Sequence, residues 1–261
     1  MLRIELLLSG NPGTLVVLAG ILLVVLVGQS WGQTATRPAS QPVIGRDDVR
    51  MWLKGLADAD PSVRDASRLG LMRLPADELP VLHDEVAGMG AIEPEQSQAL
   101  PDIVRHVYLK GVEYESLPNG FLGLSWPPVV APALAPPLDQ AGVVVEGRLP
   151  GFEAYGVLET GDVILSMGDP PAPIRTHADL TEPVKLLPPG TVLSMTIRRG
   201  AVEMKVQLTL ASRPRVADEA DQAGEPAKVD QWQQSRLAAA QEYWDQQFAP
   251  LMSRDVPVAG R

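Results

Sequence analysis

The hydrophobic period changes at Lys110–Gly111, and that change limits the folding of this chain more than any other feature. Up to Lys110 apolar residues recur three and four apart, whereas beyond Gly111 they fall in short runs separated by glycine and proline. Such a chain must pack helix on helix in its first half and build a sheet in its second, a multidomain α + β organisation. Cysteine is absent. Disulfides, thiolate metal sites and cysteine nucleophiles are therefore excluded, and each half must hold by packing alone.

In the first half Val49, Trp52, Leu53 and Leu56 share one helical face, and Val63, Ala66, Leu69, Leu71, Met72 and Leu74 resume the pattern after a break at residues 58–61. Asp60-Pro61 specifies the second start: the aspartate caps, and the proline occupies the first helical position, where its missing N–H costs nothing. Two further helices are expected over 76–86 and 93–110. The phrase WLKGLADADPSVRDASRLGLMRLP resembles one HEAT-type helical repeat, over roughly residues 46–75. No binding residue is assigned to it.

In the second half Phe121–Trp126, Gly142–Gly147 and Asp162–Met167 read as strands. Gly151–Gly156 reads as a short helix and Thr176–Leu187 as a longer one, while Thr191–Arg198 and Glu203–Leu210 read as a hairpin about Arg199-Gly200. The phrases FLGLSW, GVVVEGRLPGFEAYGVLETGDVILSMGD and IRTHADLTEPVKLLPPGT, with the RRG hairpin, resemble a PDZ domain of the bacterial HtrA type over residues 111–213. The resemblance implies a small, partly open β-barrel with two helices. Within it, Gly161-Asp162-Val163-Ile164 is the family's turn and strand, where glycine supplies a positive φ and the two apolar residues a buried strand.

The same resemblance implies a peptide-binding groove. Phe121, Leu122, Gly123 and Leu124 match the carboxylate-binding loop, in which a glycine lets successive N–H groups converge on an anion. From the helix, Leu180 and Val184 are expected to face the groove, with core packing as the alternative for each, and Leu187 reads at least as well as core. His177 matches the position where some PDZ domains bond a hydroxyl of the peptide; it also reads as a solvated residue beside the Thr176/Asp179 capping pair. Pro183 should kink or shorten the helix. The segment PPVVAPALAPPLDQA could fold over the groove and fill it.

Chemistry finds little foothold elsewhere. His83, His106 and His177 lie far apart in sequence, and no metal ligand set or cofactor motif is recognisable. Ser125 lacks the second glycine of a nucleophile elbow and belongs in a strand. No protease domain precedes the PDZ-like phrase. The expectation is no enzyme, no catalytic residue, no metal and no cofactor. With 22 basic against 32 acidic residues and a net charge of −10, the chain offers no cationic track for nucleic acid.

Residues 14–28, TLVVLAGILLVVLVG, are uncharged and apolar. As a helix they would rise roughly 22 Å, short of a hydrocarbon core of about 30 Å. That length favours a cleaved export signal, cut after Gly32, over a retained single-pass anchor, with a buried core helix as the third reading. The rest would then lie outside the cytoplasm, touching membrane only through an uncleaved N-terminus.

The expected plan is a leader over 1–32, a linker over 33–45, a helical HEAT-like module over 46–110, the PDZ-like domain over 111–213, an acidic linker over 214–230 and an amphipathic helix over 231–252. Leu237, Ala240, Trp244, Phe248 and Leu251 stripe that last helix and should dock on the chain itself. The function expected is an exported, non-enzymatic adaptor that binds extended peptides or protein C-termini. The alternatives are an assembly element of an envelope complex with a closed groove, or the noncatalytic partner of a separate protease.

Overall fold

The computed structural model describes residues 44–125 and 142–253. The leader, most of the first linker and the proline-rich stretch 127–137 lie outside the described residues.

Four helices open the fold: α1 (Arg46–Gly55), α2 (Pro61–Met72), α3 (Leu79–Ala87) and α4 (Pro94–Gly111). The Asp60 side chain accepts from the Ser62 N–H at 2.9 Å, capping α2 as its Asp-Pro start requires. At the other end of α2 the Lys110 ammonium donates to the carbonyls of Leu74 (2.7 Å) and Arg73 (3.1 Å), satisfying acceptors the helix leaves open. Burial pushes its pKa down to about 8. Val49, Leu53, Leu71, Leu82, Leu100, Ile103 and Val107 form the buried core of this half.

The sheet half holds nine short strands among the described residues. β1 (Ser116–Phe121) pairs antiparallel with β9 (Ala211–Pro214), and β2 (Leu124–Ser125) with β4 (Gly147–Arg148). The main sheet runs β3 (Val143–Val144), β5 (Val163–Met167), β7 (Val192–Arg199), β8 (Val202–Thr209), with β6 (Ala172–Pro173) on β5. α5 (Glu153–Val157) and α6 (His177–Leu186) complete it. The strand expected over Phe121–Trp126 is thus divided: the chain leaves β1 at Phe121, turns at Gly123 with φ +76°, and enters a different pairing at Leu124. Gly142–Gly147 is likewise split into β3 and the start of β4. Among the described residues the sheets are open and do not close into a barrel.

The 215–230 segment is not a linker. It forms α7 (Arg215–Ala223), ended by Gly224 in the left-handed region at φ +67°, and the first turn of α8 (Ala227–Gln247), which α9 (Ala249–Met252) extends. Acidic, small-residue composition suggested disorder, but Ala217 and Ala220 are buried one turn apart. α8 then carries Trp244, with Phe248 and Leu251 just beyond it, into the core of α1–α4. Tyr243 stacks on Tyr108 of α4 with centroids 4.5 Å apart. The stripe docks on its own chain. Among the described residues no helix is long and apolar enough to cross a membrane.

Candidate functional site: a groove between β2 and α6

α6 is positioned by its ends. The Thr176 Oγ1 accepts from the Asp179 N–H at 3.2 Å, and the Asp179 carboxylate accepts from the N–H groups of Thr176 (2.9 Å) and Arg175 (3.0 Å). Those two amides hold the Asp179 carboxyl below its usual pKa. At the far end the β1 residues Asn119 and Gly120 donate to the carbonyls of Lys185 and Leu187, each at 2.7 Å. Pro183 does not interrupt the helix, which runs through it to Leu186.

β2 lies across from this helix. Its only strand partner among the described residues is β4, in the register Leu124 opposite Arg148 and Ser125 opposite Gly147. The Leu149 N–H donates to the Gly123 carbonyl at 2.8 Å, so Gly123 occupies a bonded position on the β4 side. In an antiparallel ladder the next residue turns its backbone groups the other way. Leu124 therefore directs its N–H and C=O toward the outer edge, where no described strand pairs.

Between that edge and α6 lies a cavity of about 900 Å³. One wall carries Phe121, Leu122, Leu124 and Ser125; the helix contributes His177, Thr181, Val184 and Lys185, residues that share a face at spacings of three and four. Of the residues expected at the site, Phe121, Leu122, Leu124, His177 and Val184 meet here. Leu180 does not. It is fully buried in the core of the sheet half, because that core lies beneath α6 on the flank opposite Thr181 and Lys185. Val184 is shared by core and cavity. Gly123 shapes the loop from behind: a Cβ there would collide with the Phe152 side chain. Of the amides flanking the loop, that of Gly120 is already used by Leu187. Among the described residues, no cluster of three or more His, Asp or Glu side chains is arranged to hold a metal.

The third wall was not legible as part of any site. Arg213 of β9, Ala217, Ala220 and Asp221 of α7, then Gly224, Val229 and Asp230 border the same cavity. Arg213 is only 6% exposed. Its guanidinium stands 5.8 Å from the Phe121 ring centroid, lies 3.5 Å from an Asp218 oxygen, and hydrogen-bonds the Asp221 carboxylate. Asp221 also pairs with Lys185 of α6 at 3.4 Å. The spacing of Ala217 and Ala220, with a glycine four residues later, was the one sequence signal for this wall.

The motif Gly161-Asp162-Val163-Ile164 sits away from the groove. Asp162, 1% exposed, accepts from the Arg199 guanidinium at 2.9 and 2.7 Å and from the Glu159 N–H at 2.8 Å, fastening the β7 end to the turn before β5. This is a structural pairing.

No family model matches the chain and no curated protein is similar to it. Among solved structures, that of an HtrA-type protease with a decapeptide is 24% identical, with a TM-score of 0.32, covering 45% of this chain and 35% of that one. The chain thus spans about a third of that protein's length. A likeness this distant carries no argument about fold or function.

Proposed function

We propose that this protein is a non-enzymatic adaptor whose groove binds an extended peptide or a protein C-terminus by strand addition. The observation that carries the reading is the outer edge of β2, open among the described residues and facing α6 across about 900 Å³. An edge strand with a helix opposite is the arrangement in which main-chain hydrogen bonds supply affinity and side-chain pockets supply selectivity. The PDZ-like phrases of the sequence support the same reading. The apolar leader supports an extracytoplasmic location, and the helical half would serve to position the groove. As in the sequence reading, no metal, cofactor or nucleic acid enters the function.

The test is a library of free C-terminal peptides presented to the full chain. Retained peptides should be lost, by about tenfold or more in affinity, when Thr181→Trp fills the groove from α6, with the melting temperature preserved. Retention indifferent to Thr181→Trp, or no retention by any form of the chain, overturns the proposal and favours a closed assembly element.

A further inference from the structure

The peptide-binding reading leaves unexplained why an acidic helix from beyond the sheet domain borders the groove. α7 places the Asp221 carboxylate between Arg213 and Lys185, cations contributed by two different walls. Arg213 is nine-tenths buried and stands beside Phe121, the first residue of the loop that resembles a carboxylate-binding loop. Its Nε is buried without a hydrogen-bond acceptor among the described residues. A buried guanidinium has five donors in a fixed fork and favours a two-pronged carboxylate; here Asp221 is bonded at one nitrogen, while the Nε faces Asp218 at 3.5 Å without a hydrogen bond. Asp221 itself is more than half exposed. The carboxylate reaches the groove from the solvent side, on a helix whose buried contacts are chiefly the small Ala217 and Ala220.

We infer that α7 is a built-in competitor: Asp221 holds the place at Arg213 and Lys185 that the terminal carboxylate of an incoming peptide takes. The inference rests on the peptide-binding reading and adds to it the anchor and its regulation. Displacement of Asp221 exchanges one carboxylate for another while Asp218, a turn nearer the start of α7, keeps its place by the Nε. The buried charge of Arg213 is thus never left bare, which would otherwise be costly. Movement of α7 has a natural pivot. Gly224 sits in the left-handed region between α7 and α8, and nothing lies within 4 Å of where its Cβ would be. α8 stays anchored meanwhile by Arg236, which donates to the Leu109 carbonyl at 2.9 Å and stands 5.2 Å from the Phe152 ring centroid.

Fluorescent hexapeptides ending in an apolar residue, each as the free acid and as the carboxamide, are titrated into the full chain. Asp221→Asn should tighten the free acids about tenfold, since a site held closed loses apparent affinity in proportion to its open fraction. It should move the amides far less. Lys185→Gln, a partly exposed change that spares the core, should narrow the preference for acid over amide, and Arg213→Gln should remove it. Hydrogen exchange over 215–223 should accelerate when the free acid binds. Free acids that bind the native chain and Asp221→Asn equally, or acids and amides that bind alike, overturn the competitor while leaving a peptide groove in place. Binding of neither form to either chain overturns the groove itself.

Discussion

The helical half closes its core with residues from the far end of the chain, setting Trp244, Phe248 and Leu251 among Val49, Leu53, Leu82 and Val107. The sheet half has a complete core of its own, yet β2 and α6 stand apart, and α7 borders the gap without filling it. Large apolar side chains seal the first site permanently; alanines and one ion-paired carboxylate occupy the second. The difference teaches that one C-terminal segment treats the two halves unlike. Removing Phe248 would leave a void in a densely packed interior, whereas removing Asp221 exchanges one polar partner for water or ligand.

The strongest way to break this contrast is Phe248→Ala. It should cost about 3–5 kcal/mol, read as a shift in denaturant midpoint. A loss below about 1 kcal/mol would show that α8 only rests on the helical half.

A second test addresses the seam between the halves. His106 of α4 is 2% exposed, accepts from the Gly151 N–H at 3.0 Å through Nδ1, and stacks on Tyr155 of α5 with centroids 5.2 Å apart. Burial pushes its pKa down to about 3. The unfolded chain, with an ordinary histidine pKa near 6.5, binds this proton first on acidification. Stability is therefore unaffected by this group above pH 6.5 and falls as pH drops from there toward 3, by up to a few kcal/mol. Comparing stability across that range for the native chain and His106→Gln isolates the term; parallel curves would refute it.

The smallest effect sharpens the other side. Thr176→Ala removes the α6 cap at a cost of about 1 kcal/mol. Hydrogen exchange should rise over 176–181 with the helical half unchanged. Equal changes in both halves would mean that the groove helix cannot loosen by itself.

The helices of the first half were legible because Asp60-Pro61 and the apolar period agree with each other, and α6 because Thr176 and Asp179 spell a capping box. β1 was missed for a physical reason. SLPNGF has the composition of a turn, and its partner, Ala211–Pro214, lies some ninety residues onward, so neither local propensity nor spacing signals the pairing. Leu180 and Val184 were given the same role because they are four apart on one helix, but only contact with the core beneath separates them. Asp221 was hidden most deeply. Its neighbours are those of a flexible tether, and its meaning comes from Arg213, in the strand that leads into its own helix, and from Lys185, on a helix brought beside it only by folding.

The path of α8 decides how this molecule can be divided. Its first turns cover Tyr114 and Phe152 through Arg236 and Trp232, while its last turn and the residues after it complete the helical core. A fragment ending at Pro214 would expose hydrophobic surface on both halves at once. Evolution, like the experimenter, cannot trade these halves as cassettes unless the closing helix travels with them.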